Sequence, residues 1–174
     1  MNIAYYHASK YGNGAAVAAE FKKDMAARGI AVEVRHIRDA DPADLPAADL
    51  YVFSAPGRFG KPKGNARRFL SKVNLAPCTR YAVLTTQAAP KPAPRTGTKP
   101  SPEEQDRWER VIPMMNQVLA GKGLHKVADG AVLVTGLKGP LEEGWRTKVA
   151  AFADQVTAAL TTHPADARQP DRTG

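Results

Sequence analysis

Hydrophobic residues along the chain follow two alternating periods, which predict alternating strands and helices. Five segments are short and apolar, or alternate apolar with polar residues, as β-strands do. They are residues 3–6, 30–37, 50–53, 81–84 and 129–135. Four further segments repeat apolar residues every three or four positions, the period of an amphipathic helix. They are residues 14–28, 64–73, 102–120 and 141–160.

An alternation of strands and helices is typical of an α/β fold, in which a five-stranded parallel sheet carries helices on both faces. Gly29 ends the first helix, and Ser101 with Pro102 begins the third. Residues 87–102 contain five prolines and are predicted to form a loop. Residues 161–174 are polar without an apolar period, so we expect one domain, residues 1–160, followed by a disordered tail.

The composition is that of an ordinary globular protein except for its charge. Of the 174 residues, 43% are hydrophobic, and no stretch approaches the roughly 20 apolar residues of a membrane span. A lone cysteine, Cys78, and a first strand without a preceding signal peptide predict a cytoplasmic protein. The net charge of +8 favours anionic partners, although a basic surface also serves solubility alone.

The loop after the first strand has the composition of a phosphate-binding turn. It consists of Ser9, Lys10, Tyr11, Gly12, Asn13 and Gly14, and it leads directly into the first helix. Small residues let backbone amides turn towards a phosphate, and the helix N-terminus adds unpaired N–H groups and the positive end of a dipole. The alternative is an ordinary strand-to-helix turn in which Gly and Asn supply a positive φ.

A second loop, after the third strand, combines small residues with one aromatic ring and two cations. Its candidate contacts are Pro56, Gly57, Arg58, Phe59 and Gly60, and Lys61 follows them. Phe59 either packs against the flat ring of a ligand or turns into the core. Because the carboxyl ends of parallel strands share one edge of the sheet, the two loops together favour a ligand site there.

These two loops resemble loops of the flavodoxins. Residues 6–14 are similar to the phosphate loop of that family, and residues 54–60 to the loop that borders the isoalloxazine ring. The resemblance implies a doubly wound sheet of strand order 2-1-3-4-5 that holds one flavin mononucleotide (FMN) non-covalently. The implied cofactor contacts are residues 9–14 and 56–60, with Thr86 and Gln87 at the end of the fourth strand. The implied activity is electron transfer, or reduction of small acceptors such as quinones.

Several positions depart from the pattern of that family. Tyr11 and Gly14 stand where Ser or Thr is usual, and residues 87–99 lack the aromatic ring that usually faces the flavin. Flavodoxins are typically acidic, whereas this chain is basic. Arg58 or Lys61, if near the ring, would stabilise the anionic reduced flavin.

Three functions therefore stay open. The first is an FMN-binding electron carrier whose partner is a redox protein or a small-molecule electron acceptor. A protein partner would be acidic, because the chain is basic. The second is an FMN-dependent NAD(P)H or quinone reductase or a protoporphyrinogen-type oxidoreductase. The third is a cofactor-free module whose basic face binds an acidic partner or, less favoured, nucleic acid. No catalytic residue is identified, and the four histidines lack metal-ligand spacing. Cys78 is expected to fill space in the core, and Trp108 to lie in the core or an interface.

Overall fold

The five predicted strands form one parallel sheet in the structure, a computed structural model that describes residues 1–162. These residues form seven strands in all: β1 (Asn2–His7), β2 (Ala31–His36), β3 (Leu50–Ser54), β4 (Gly57–Arg58), β5 (Lys61–Pro62), β6 (Arg80–Ala88) and β7 (His125–Val134). The order across the sheet is β2-β1-β3-β6-β7, which confirms the predicted order 2-1-3-4-5 of the five sheet strands. β4 and β5 pair as a small separate hairpin.

Helices cover both faces of this sheet, as the alternation predicts. The described residues form α1 (Asn13–Ala26), α2 (Gly64–Lys72), α3 (Pro102–Trp108), α4 (Val111–Gly121) and α5 (Trp145–Thr161). Phe21 of α1 and Phe152 of α5 share one core, with ring centroids 5.5 Å apart. Leu70 of α2 and Met115 of α4 belong to the core on the other face. Burial on both faces explains why β1 and β3 are continuous apolar runs.

The predicted helix over residues 102–120 is wrong in one respect, because it is two helices. Its start is confirmed: Glu104 N donates to Ser101 Oγ at 3.2 Å, and Ser101 N donates to Glu104 Oε2 at 2.9 Å. α3 ends at Trp108 and α4 begins at Val111. Pro113 accounts for the break, since a proline ring clashes with the carbonyl four residues earlier, which here is that of Glu109.

Three other boundaries differ by four residues from the sequence prediction. β7 begins at His125 rather than at residue 129. β6 continues to Ala88, where the sequence predicts a loop from residue 87, because it pairs with β7 as far as Ala88 and Val134. α5 begins at Trp145 rather than at residue 141, because the preceding Gly144 has a φ of 74°, outside the helical region.

Cys78 is exposed and has a φ of 65°, so the expectation that it fills space in the core is wrong. Thr161 is the last residue of α5, and residues 163–174 of the predicted tail lie outside the described residues. Within residues 1–162 no helix is both long and apolar enough to span a bilayer.

Candidate functional site

The two predicted loops are neighbours at the carboxyl edge of the sheet. β1 and β3 pair in parallel with His7 opposite Ser54, and Ala8 N donates to Ser54 O at 3.1 Å just beyond the strands. β2 lies on one side of this pair and β6 on the other, so the strand order reverses between β1 and β3. Open α/β sheets bind ligands at such a switch point.

The first loop turns tightly around Ser9 before α1 begins. Gly12 has a φ of 91°, which favours glycine, and its amide donates to Ser9 Oγ at 3.1 Å. Gly14 lies against Ser9, since a Cβ on Gly14 would be 3.2 Å from Ser9 Cβ. Ser9 Oγ therefore accepts one hydrogen bond inside the loop and keeps its proton for another acceptor.

The N-terminus of α1 has backbone donors without partners. No group within residues 1–162 accepts a hydrogen bond from the amides of Asn13, Gly14 or Ala15, and the first turn has no acidic side chain. These amides and the helix dipole favour an anion. Ala15 was not among the sequence candidates, although it lies in the same helical turn.

Two lysines lie at this loop, of which Lys10 belongs to it and Lys138 reaches it from a later part of the chain. The Nζ atoms of Lys10 and Lys138 are 5.2 Å and 5.6 Å from the centroid of the Tyr11 ring. Lys138 belongs to the segment after β7, which is fixed to α1 by a 3.2 Å hydrogen bond from Asn13 Nδ2 to Lys138 O. Asn13 therefore holds this segment, and no local sequence signal links Lys138 to the first loop.

Two histidines on adjacent strands hold the backbone of Ser9. Ser9 N donates to His7 Nδ1 at 3.3 Å, and Ser9 O lies 3.0 Å from His36 Nε2. The two rings pack edge to face with centroids 5.1 Å apart. Burial lowers the pKa of His7 below its usual value. Electrostatic interactions with His36 and Arg38 lower it further, while the interaction with Asp39 opposes them.

The second loop is the β4–β5 hairpin. Its turn residues Phe59 and Gly60 have φ values of 52° and 70°, and positive φ at both positions is typical of type I′ hairpins. The Phe59 side chain is 78% exposed, with the Arg58 guanidinium 5.5 Å from its ring centroid. Phe59 is therefore presented at this edge rather than turned into the core.

The hairpin lies directly on the end of β6. Thr86 N donates to Ala55 O at 3.3 Å, and Pro56 pairs with Thr86. A Cβ on Gly57 would be 3.7 Å from Thr86 O and 3.8 Å from the Cα of Gln87. Thr86 and Gln87 are both buried, so the structure brings them to the expected edge but places them beneath the second loop.

Exposed apolar side chains concentrate at the same edge. The large hydrophobic residues exposed within residues 1–162 are Met1, Tyr11 (48%), Phe59 (78%), Trp108 (57%) and Leu137 (85%). All except Met1 lie in or beside the loops that follow β1, β3, β6 and β7. Trp108 packs on the hairpin, where its Cδ2 would be 3.4 Å from a Cβ on Gly60. Trp108 is therefore not a core residue.

Comparison with known proteins identifies the fold. No family model and no curated sequence matches the chain. A short-chain flavodoxin associated with a bacterial microcompartment aligns with a TM-score of 0.69 and 14% identity, over 92% of this chain and 99% of that one. Flavodoxin 2 from Bacillus cereus aligns with a TM-score of 0.69 and 16% identity, over 91% of this chain and 99% of that one. A flavodoxin from Streptococcus pneumoniae aligns with a TM-score of 0.62 and 17% identity, also over 91% of this chain and 99% of that one. The chain has the flavodoxin-like fold, which confirms the fold expected from its sequence.

Proposed function

We propose that the chain binds one FMN non-covalently at the carboxyl ends of β1 and β3 and serves as an electron carrier. The observation that carries this proposal is the first loop, where three amides without an acceptor in residues 1–162 and two lysines fit an anion. The likeness of fold supports the choice of ligand, since flavodoxin-like sheets hold FMN at this switch point.

The residues of the first loop suit a phosphate group. Residues 9–14 would bind it through the α1 amides and the Ser9 hydroxyl, which still has its proton to donate. Lys10 and Lys138 would offset the charge of the dianion. Positive charge would thereby take the place of the Ser or Thr hydroxyls that are missing at positions 11 and 14.

The second loop would border the isoalloxazine ring. Residues 56–60 include β4 and the turn of the β4–β5 hairpin, which would present the Phe59 ring to a flat aromatic ligand. Thr86 and Gln87 support this hairpin from below. FMN, when bound, supplies the redox chemistry, and the chain supplies binding and electrostatics. Arg58 and Lys61 add positive charge to the hairpin, which favours the reduced, anionic ligand.

The absorption spectrum of the purified protein tests this function. We expect visible flavin absorption that stays with the protein through gel filtration, either as isolated or after incubation with FMN. Folded protein that retains no flavin after that incubation would leave only the cofactor-free module. Steady-state oxidation of NAD(P)H or a quinol by the flavin-loaded protein would identify an enzyme instead, whereas a carrier exchanges electrons with a redox protein without such turnover.

A further inference from the structure

The positive charge of the chain is concentrated in one segment. Residues 50–102 contain ten Lys and Arg residues and no Asp or Glu, whereas the rest of the chain has fifteen basic and seventeen acidic residues. The whole excess of positive charge therefore lies between β3 and α3. A basic surface kept only for solubility has no need of such segregation.

The cations of this segment have no carboxylate partners in the described chain. Seven ion pairs form within residues 1–162, and each uses a Lys or Arg from outside residues 50–102. α2 alone displays Arg67, Arg68 and Lys72. Lys122 joins them from the end of α4, with its Nζ 2.8 Å from Ser71 O. Among residues 1–162, the outer side of α2 is thus a cationic surface without carboxylate partners.

An apolar cleft runs beside these cations, between α2 and α4. Its volume is about 460 Å³, and Arg67 and Arg68 lie at its rim. Its apolar lining includes Leu70, Met114, Met115 and Val118. Methionine side chains are flexible and polarizable, and they are common at surfaces that adapt to a partner.

We propose that the face formed by α2 and α4 docks an acidic protein. Carboxylates of the partner pair with Arg67 and Arg68, while an apolar side chain of the partner enters the cleft. This combination of a central apolar anchor and a charged rim is typical of protein interfaces. The proposal concerns the face of the sheet opposite α1 and stands independently of flavin binding.

The cleft favours a protein over the other polyanions. A single-stranded nucleic acid binds where aromatic side chains stack on bases, and the cleft lining contains no aromatic residue. A lipid surface requires apolar side chains that protrude beyond the cations, whereas Leu70 and Met115 are buried at the base of the cleft.

Peptide binding to the purified protein tests this proposal. The probe is a fluorescein-labelled peptide in which glutamates flank a central Leu-Phe pair. Its binding is measured by fluorescence anisotropy at low salt. Replacing both arginines (Arg67→Gln with Arg68→Gln) should weaken binding about fivefold, as expected for the loss of two exposed ion pairs. The matched control is Lys22→Gln with Lys23→Gln, an equal charge change on adjacent exposed residues of α1, which should change the Kd by less than about twofold.

The apolar anchor has its own test. Met114→Gln should weaken binding of the Leu-Phe peptide but not binding of a peptide with Ser-Ser at its centre. In an NMR titration, the Leu-Phe peptide should shift amide resonances of α2 and α4 rather than those of α1. Equal losses in the two double variants would show that affinity follows net charge alone and would overturn the proposal. Tighter binding of an oligothymidylate of equal charge, or of phosphatidylcholine vesicles containing phosphatidylglycerol, would also overturn it. FMN affinity should be the same in both double variants. A failure of FMN binding would therefore count against the proposed flavin site and not against the docking face.

Discussion

Ser9 is held at three polar atoms before any ligand arrives. Its amide donates to His7, its carbonyl lies within hydrogen-bond distance of His36, and its hydroxyl oxygen accepts from Gly12. A loop fixed in this way would bind the proposed phosphate with a smaller ordering cost than a loop without these contacts.

Changing Ser9 to Asp tests the contact with the phosphate. A carboxylate at this position can still accept from the Gly12 amide, but it places a negative charge against a dianion. FMN affinity should fall by about tenfold to a hundredfold, after allowance for solvent screening. Ser9→Asn introduces a neutral side chain of the same size as Asp, and it should lower FMN affinity much less. The affinity for riboflavin, which lacks the phosphate, should be nearly unaffected by either change. Equal losses of FMN and riboflavin affinity in fluorescence titrations would show that this loop does not hold the phosphate.

His7 should make the stability of the fold depend on pH. Burial keeps its pKa below the usual value of 6.5 in the folded chain. The unfolded state therefore binds a proton first as the pH falls through 6.5, and the free energy of unfolding decreases until the lower folded pKa is passed. His7→Asn retains an acceptor for the Ser9 amide without a titrating group, so urea unfolding should show a shallower decrease between about pH 7 and 5. Parallel pH profiles for the two proteins would contradict this role of His7.

At the scale of single residues, local contacts could be predicted from the sequence and distant ones could not. Ser9 and Gly12 were identified because a strand, a small-residue turn and a helix follow one another along the chain. His36 and Lys138 reach the loop from 27 and 128 residues beyond Ser9 and Lys10, through strand pairing and the fold of the segment after β7. No pattern within the loop indicates either of them.

Among the elements, the β4–β5 hairpin connects the proposed site to the α3–α4 junction. Arg110 N donates to Gly60 O at 2.6 Å, and a Cβ on Gly60 would be 2.1 Å from Trp108 O. The hairpin is thus packed between the end of β6 and the chain segment that separates two helices. Its position depends on the absence of a side chain at residue 60.

Gly60→Ala should be considerably more destabilising than Gly29→Ala. The two glycines have almost the same φ, 70° and 71°, but a Cβ on Gly29 would meet no atom within 4 Å. Gly29→Ala should therefore lower the free energy of unfolding by about 1 kcal/mol, the cost of the backbone conformation alone. Gly60→Ala adds a clash with the backbone and should lower it by about 2–4 kcal/mol in total. Chemical denaturation of both variants measures the difference. Equal losses would mean that the hairpin does not pack on Trp108.

The regular elements follow closely from apolar periodicity, and the exceptions have physical causes. The two-helix form of residues 102–121 depends on Pro113, which lies inside an apolar pattern that otherwise fits one helix. The hairpin lacks a strong turn signature, because its first turn residue is Phe59 where Asn, Asp or Gly is usual. Trp108 has helical spacing with apolar neighbours, yet the helix break turns it onto the hairpin instead of into the core.

For the molecule as a whole, the flavodoxin-like fold places two distinct surfaces at separate positions. Within the described residues 1–162, the carboxyl edge combines unpaired amides, lysines and exposed aromatic rings. The α2–α4 face combines an apolar cleft with cations that have no carboxylate partner in the same residues. The sequence predicts the fold and the edge, because both follow from the order of elements. The cleft could not be predicted, since its lining comes from two helices that meet only in the folded chain.

Titration of the flavin-free protein with FMN is the most direct test of the central claim. We expect quenching of flavin fluorescence that saturates at one FMN per chain, together with a higher Tm in the presence of FMN, because a ligand that binds only the folded state stabilises it. An unchanged Tm at saturating FMN, in protein shown to be folded, would contradict the proposal that the carboxyl edge of this sheet is a flavin site.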